Sequence, residues 1–193
     1  MIHSIAKTSG VEYICPHHEQ GAAMAADAYS RVSGQIGCAL ATSGPGATNL
    51  ITGIACSWFD SIPVLYLTGQ VARFRFRGDT GVRQMGFQET DIVSMVKPIT
   101  KYSKLVEKVE DLQHVLEEAL TVAKTGRPGP VLVDIPDDLQ REIVPLKIFD
   151  KPKKIVEVTG TKLKPGKNEI KKCLELLSSA KRPVIILGQG VRS

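Results

Sequence analysis

Two histidines and a carboxylate, His17, His18 and Glu19, stand directly ahead of an alanine-rich stretch, GAAMAADAYSR, at residues 21–31. Imidazoles beside a carboxylate can ligate a metal or move a proton. Adjacent side chains at a helix start diverge, however, and no H-x-x-x-H accompanies these three, so no metal ligand is assigned. The plainer alternative is a first-turn glutamate favoured by the helix dipole, with hydrated histidines at the helix entrance. A second candidate is TSGPGATN (residues 42–49), which follows an apolar run and opens a helix. Its backbone N–H groups would face a ligand at the strand's carboxyl end. The dinucleotide pattern G-x-G-x-x-G fails at Asn49, and a P-loop fails for want of G-K-[ST]. A tight turn that merely needs glycine torsions is the alternative here. The third stretch, RFRFRGDTGVRQ (residues 73–84), interleaves Arg73, Arg75 and Arg77 with Phe74 and Phe76. Such a strip can stack bases and hold phosphates. It is one segment in a chain without another basic face, and it follows a strand end, so a substrate or cofactor loop is the leading reading. A nucleic-acid contact and a plain interface loop are the alternatives.

These residues need a scaffold that brings strand ends and helix starts together. The apolar runs EYIC (12–15), IGCALAT (36–42), PVLYLTG (63–69), PVLVDIP (130–136) and PVIILG (183–188) are continuous rather than alternating, as buried parallel strands are. Between them, Ala22, Ala25, Ala26 and Tyr29 form one helical face whose small residues predict close packing. Ala47, Leu50, Ile51, Ile54, Ala55 and Trp58 form a second face. Leu112, Val115, Leu116, Ala119, Leu120 and Ala123 form a third, ended by Gly126 and Pro128. Strands alternating with helices predict an α/β class: a three-layer parallel sheet with helices on both faces.

The chain has 193 residues, 42% of them hydrophobic, enough for one domain with a good core. No run of eighteen apolar residues and no signal-peptide pattern occurs at the start, so a soluble, cytoplasmic protein is expected, with no membrane partner. Cys15, Cys38, Cys56 and Cys173 form no C-x-x-C pair and are read as reduced thiols in the core. The net charge of +5 is local: residues 151–172 carry eight lysines against Glu157 and Glu169, so the rest of the chain carries about −1. That stretch reads as a linker, which leaves the expected partners free of nucleic acid. A helix at residues 168–179, with Ile170, Cys173, Leu174 and Leu177 inward, leads into PVIILG. Residues 1–148 are thus one domain, 149–167 a linker, and 168–193 the start of a second, truncated domain. A few lead-in residues before EYIC, with no βα unit ahead of them, suggest that the first strand–helix unit is missing and that the chain is a fragment.

Taken together, HEQGAAMAADAYSR, ATSGPGATNLITGIACSWFDSIPVLYLTGQV, GFQETDIV and AKTGRPGPVLVDIPDD resemble the N-terminal pyrimidine-binding domain of thiamine-diphosphate-dependent enzymes, and most closely acetolactate synthase large subunits. The motifs occur in the family's order over residues 12–145. The resemblance implies thiamine diphosphate as cofactor, with Mg2+ held by a C-terminal domain whose G-D-G motif is absent from this chain, and with FAD as a further candidate. It implies that Glu19 bonds N1′ of the aminopyrimidine as the catalytic carboxyl, burial raising its pKa. Ser43, Gly44, Pro45 and Gly46 would line the pyrimidine and Asn49 would support the turn. Phe87 and Gln88 would reach the substrate side from a neighbouring subunit of a homo-oligomer, a dimer or tetramer. The substrate implied is a small-molecule 2-keto acid, joined or cleaved next to its keto group, with the isolated chain inactive. A non-catalytic dimerisation or regulatory module derived from that fold is the alternative function.

Overall fold

The computed structural model describes residues 1–144 and 165–188. A short helix, α1 (Ile2–Lys7), precedes an exposed extended segment, and α2 (Glu19–Ser33) then leads into strand β1 (Gly37–Ala41). Two consecutive helices, α3 (Pro45–Asn49) and α4 (Ile51–Phe59), return the chain to β2 (Val64–Gln70). After the Arg/Phe loop come α5 (Ile92–Val96), β3 (Tyr102–Leu105), α6 (Leu112–Lys124), β4 (Val131–Pro136) and α7 (Asp137–Arg141). Helix α8 (Lys167–Ser179) stands apart in sequence.

All pairings are parallel, and the four strands run in the order β1-β2-β4-β3. Side chains alternate between two cores across this sheet. Val64, Tyr66 and Leu132 face Ala23, Ala26, Leu50, Ile54, Ile92 and Val96, the side of α2, α4 and α5. Leu65, Val131, Val133 and Ile135 face Val115, Ala119 and Ala123 on α6. The expected three-layer α/β architecture is therefore present, and the α6 face is the one its periodicity predicts.

Helix α2 approaches its neighbours very closely. A Cβ added at Gly37 would lie 2.0 Å from the Ala26 carbonyl oxygen, and one at Gly53 would lie 2.3 Å from Ala23 Cβ. Glycine is required at both places because nothing larger than hydrogen fits. The buried face of α2 is, however, Ala23, Ala26, Asp27 and Ser30, one residue round from the face predicted, and Tyr29 is 55% exposed. Polar partners cause the rotation. Ser57 Oγ donates to Asp27 Oδ2 at 2.8 Å and lies 3.0 Å from Tyr66 Oη, while Ser30 Oγ donates to the Pro63 carbonyl and accepts from Gly37 N, each at 2.7 Å. Satisfied polar groups go inside as readily as apolar ones, which hydropathy spacing does not register.

Other expectations are corrected. Residues 12–15 are exposed and not in the sheet, and residues 183–188 are likewise exposed and unpaired. A strand needs a partner for its backbone N–H and C=O groups, and neither segment finds one among the described residues. Strand β3, by contrast, was not anticipated: its YSKL sequence is a half-exposed edge with no apolar run. The residues ahead of 12–15 form α1 rather than a mere lead-in. The four cysteines are free but exposed rather than in the core. Cys38, for example, sits in register with Leu65 on the α6 side of the edge strand β1, whereas α6 packs on β4, β3 and β2. Helix α8 occurs where expected, but its stripe is not inward: Ile170, Leu174 and Leu177 are exposed. Most of the expected linker, and the end of the second domain, lie outside the described residues. No helix among the described residues is long and apolar enough to cross a membrane.

Because α4 rests on α2 at Gly53, Gly53→Ala is expected to destabilise the chain by roughly 1–3 kcal/mol through overpacking. A urea unfolding curve with an unchanged midpoint would show that the two helices separate freely.

Candidate active site

The site forms where α2 begins beside the carboxyl end of β1. His18 is the N-cap of α2, and its Nδ1 accepts from Gln20 N at 3.1 Å, which satisfies one of the unpaired first-turn amides. This gives His18 a structural task that the sequence did not reveal, and it makes Glu19 the first helical residue. Gln20 Nε2 donates to Thr52 Oγ1 at 3.1 Å and ties the same turn to α4.

Across from Glu19, the chain leaves β1 through Thr42 and Ser43 and turns at Gly44 (φ 65°, ψ −126°), a conformation open to glycine. Pro45 then starts α3 at its first position, where a missing N–H costs nothing. Asn49, at the end of this short helix, donates Nδ2 to Glu19 Oε2 at 3.1 Å. A Cβ at position 46 would come within 3.4 Å of Glu19 Oε1 and 2.8 Å of Thr42 Cγ2, so Gly46 leaves the space in which that carboxylate lies. Glu19, Gly46 and Asn49 are thus brought together, with Ser43, Gly44 and Pro45 in the connecting turn. The Asn49 amide holds the half-buried Glu19 carboxyl below its ordinary pKa, against a smaller opposing effect of burial. In the chain by itself, the hydrogen bond to the ionised form outweighs desolvation, the direction opposite to the rise expected of a water-poor site.

Gln88 arrives from the same chain. A Cβ at Gly44 would stand 2.7 Å from Gln88 Cβ, so the turn and the loop touch within one molecule rather than only across a subunit boundary. Phe87, beside it, is 83% exposed. The loop is organised by Glu89, whose carboxylate accepts from Arg77 N (2.8 Å), Met85 N (2.9 Å) and Gly86 N (3.3 Å). Burial raises the pKa of Glu89, but these donors hold it below the usual range. The Arg/Phe strip is partly structural. Arg73 Nε donates to Asp138 Oδ2 at 2.7 Å and its Nη1 to the Glu107 carbonyl at 2.6 Å, whereas the Arg75 guanidinium lies 5.5 Å from the Phe74 ring centre. Thr42, Ser43, Gly69, Ala72, Phe74 and Arg75 line part of a cavity of about 750 Å³ at these strand ends.

Sequence reasoning missed Glu89 and the buried group Thr68, Gln70 and Asp134. Thr68 Oγ1 donates to Asp134 Oδ1 at 2.7 Å and Gln70 Nε2 to Asp134 Oδ2 at 2.9 Å. Burial pushes Asp134 up to about 7, despite those two donors, and Asp91 adds to the rise. The available signal was a lone carboxylate inside the apolar run VLVDIP.

With the geometry established, comparison with known proteins gives the class. Residues 1–95 match the family model described as thiamine pyrophosphate enzyme, N-terminal TPP binding domain. That match spans just under half of the chain, and the parallel sheet flanked by helices agrees with the N-terminal α/β domain of that family. Acetolactate synthases are among the relatives that the chain matches. The chain is 39% identical over 188 residues to acetolactate synthase 3, chloroplastic, of Brassica napus, which covers 97% of this chain and 28% of that protein. It is 43% identical over 185 residues to the acetolactate synthase large subunit of Buchnera aphidicola subsp. Schizaphis graminum, covering 95% and 31%. It is also 43% identical over 174 residues to acetolactate synthase 1, chloroplastic, of Zea mays, covering 90% and 26%. The chain thus spans less than a third of the length of these relatives.

The Asn49–Glu19 pair makes a direct prediction. Followed by 13C NMR against pH, the Glu19 carboxyl should titrate below the ordinary glutamate value of 4.5 in the chain and move upward in Asn49→Ala. As pH falls through the lowered pKa, protonation removes the stability this bond contributes above it. An unmoved titration would assign the depression to another partner.

Proposed function

We propose that this chain is the pyrimidine-binding part of a thiamine-diphosphate-dependent enzyme that joins or cleaves the bond next to the keto group of a 2-keto acid, as an acetolactate synthase does. The observation that supports this most is the Glu19 carboxylate, held at a helix start by Asn49 and lying beside Gly46 of the turn that leaves β1. The residues present fit the group. A carboxyl that can share a proton suits a basic ring nitrogen, and a turn of small residues with two glycines suits a flat ring.

In this reading Glu19 would hold the aminopyrimidine at N1′, Ser43, Gly44, Pro45 and Gly46 would line the ring, and Asn49 would orient the carboxylate. When bound, the cofactor supplies stabilisation of a carbanion beside a carbonyl, the hard part of the chemistry. The chain's own contribution is a positioned acid–base group. A ring packed on the turn excludes water from Glu19, and desolvation moves its pKa up from the low value that Asn49 sets, toward a proton shared with the ring. Phe87 and Gln88 would border the substrate. The diphosphate and its Mg2+ would be held by residues outside this chain in a homo-oligomer, so the chain alone should not turn over substrate.

In the complete enzyme, Glu19→Gln should slow proton exchange at C2 of the bound cofactor by about 10²–10⁴-fold, the usual scale of a positioned acid–base group. Wild-type exchange in that variant would remove Glu19 from its role. Calorimetric titration of the chain alone with thiamine diphosphate and Mg2+ should show weak binding or none. Tight binding would mean that one chain holds a whole site.

A further inference from the structure

We infer that Asp134 is a positioning residue for Gln88: through Gln70 it ties the backbone of the Gln88 loop to the centre of the sheet. The inference rests on the reading of Gln88 as a substrate-side residue. Asp134 is 1% exposed, on a strand flanked by β2 and β3, in register with Thr68. A valine or leucine would fill such a position at no desolvation cost, whereas a buried carboxyl must be fully hydrogen-bonded to be tolerated. Its two oxygens take different partners, Thr68 and Gln70.

Gln70 is the link. One proton of its Nε2 goes to Asp134 Oδ2 at 2.9 Å and the other to the Thr90 carbonyl at 2.6 Å, while its Oε1 accepts from Val71 N at 2.9 Å. A carboxylate can only accept, so Asp134 settles which way the Gln70 amide faces, and a reversed amide would set oxygen against the Thr90 carbonyl. In the protonated acid, Oδ1–H can turn to Thr68 and leave Oδ2 as the same acceptor, so the link survives either ionisation state.

Thr90 follows directly on the turn of residues 86–89, which is closed by Glu89 N donating to the Gly86 carbonyl at 3.0 Å. Within that turn Gln88 has φ 65°, a left-handed conformation that costs a non-glycine residue on the order of 1–3 kcal/mol and persists only where its surroundings enforce it. Enforcement comes from two sides. The Glu89 carboxylate gathers the Arg77, Met85 and Gly86 amides above the turn, and Gln70 holds the Thr90 carbonyl next to it. Since Gln88 already touches Gly44, a small release of the loop changes the gap between Gln88 and the turn at residues 43–46.

Gln70→Met keeps the length of the side chain and deletes both donors. Asp134→Leu removes the acceptor, and Asp134→Asn keeps an acceptor for Gln70 and a donor for Thr68. By hydrogen exchange on the chain, Gln70→Met and Asp134→Leu should speed exchange at Met85, Gly86 and Glu89 by about tenfold while β2 and β4 amides change far less, and Asp134→Asn should restore protection. In the complete enzyme the same two variants should raise KM for the 2-keto acid by about tenfold while C2 proton exchange on the cofactor stays as in the wild type. Gln70→Met, which leaves Asp134 in place, carries the test if Asp134→Leu does not fold. Unchanged loop exchange, or equal acceleration in the strands, overturns the inference. Faster loop exchange with unchanged KM overturns the substrate-side role of Gln88, and the inference with it.

Discussion

The distance between α2 and its neighbours is the constraint on which the rest of the structure depends. Gly37 lies under the Ala26 carbonyl and Gly53 under Ala23, so α2 is pressed at once against the start of β1 and against α4. With those two contacts set, the N-terminus of α2 has only one place to go: beside the turn that leaves β1. There the cap by His18 starts the helix at Glu19, and Asn49 at the end of α3 meets its carboxylate. A catalytic candidate on a flexible loop would need its own fixation. Here packing about 6–10 Å further along the helix supplies it, at the rise of about 1.5 Å per residue.

Polar groups inside the helix-covered face of the sheet form two sets, and each joins elements that apolar packing alone would leave free to slide. Asp27, Ser57 and Tyr66 link α2, α4 and β2. Thr68, Asp134 and Gln70 link β2 to β4 and, through Thr90, to the loop before α5. No side-chain nitrogen or oxygen buried among the described residues lacks a partner, as tolerance of these groups requires. Their directionality gives register where the hydrophobic effect, which has no direction, cannot.

Much of this was legible in the residues. Continuous apolar runs identified β1, β2 and β4, and the spacing of Val115, Ala119 and Ala123 identified the buried face of α6. The turn around Gly44 and Gly46, set between a strand and a helix, marked the end of the sheet where the candidate site lies. What misled was hydropathy applied where partners decide. Tyr29 is apolar by type yet exposed, and Asp27 is charged yet buried because Ser57 and Arg31 reach it. Residues 12–15 have strand composition and no pairing strand among the described residues, whereas Tyr102–Leu105 has weak composition and a willing neighbour in β4.

By itself, the sequence determined the class of fold, which rests on local residue types and their spacing, and carried the ordered motifs whose resemblance to thiamine-diphosphate-dependent enzymes makes Glu19 the candidate carboxyl. Only the tertiary structure decided the environment of that carboxyl and the route by which Gln88 is held. The Asn49 donor comes from thirty residues away, the Gln70–Asp134 link joins strands sixty-four residues apart, and Gln88 meets Gly44 across a gap that only folding closes. A pKa and a strained torsion are set by the atoms nearest in space, and chain order does not say which atoms those will be.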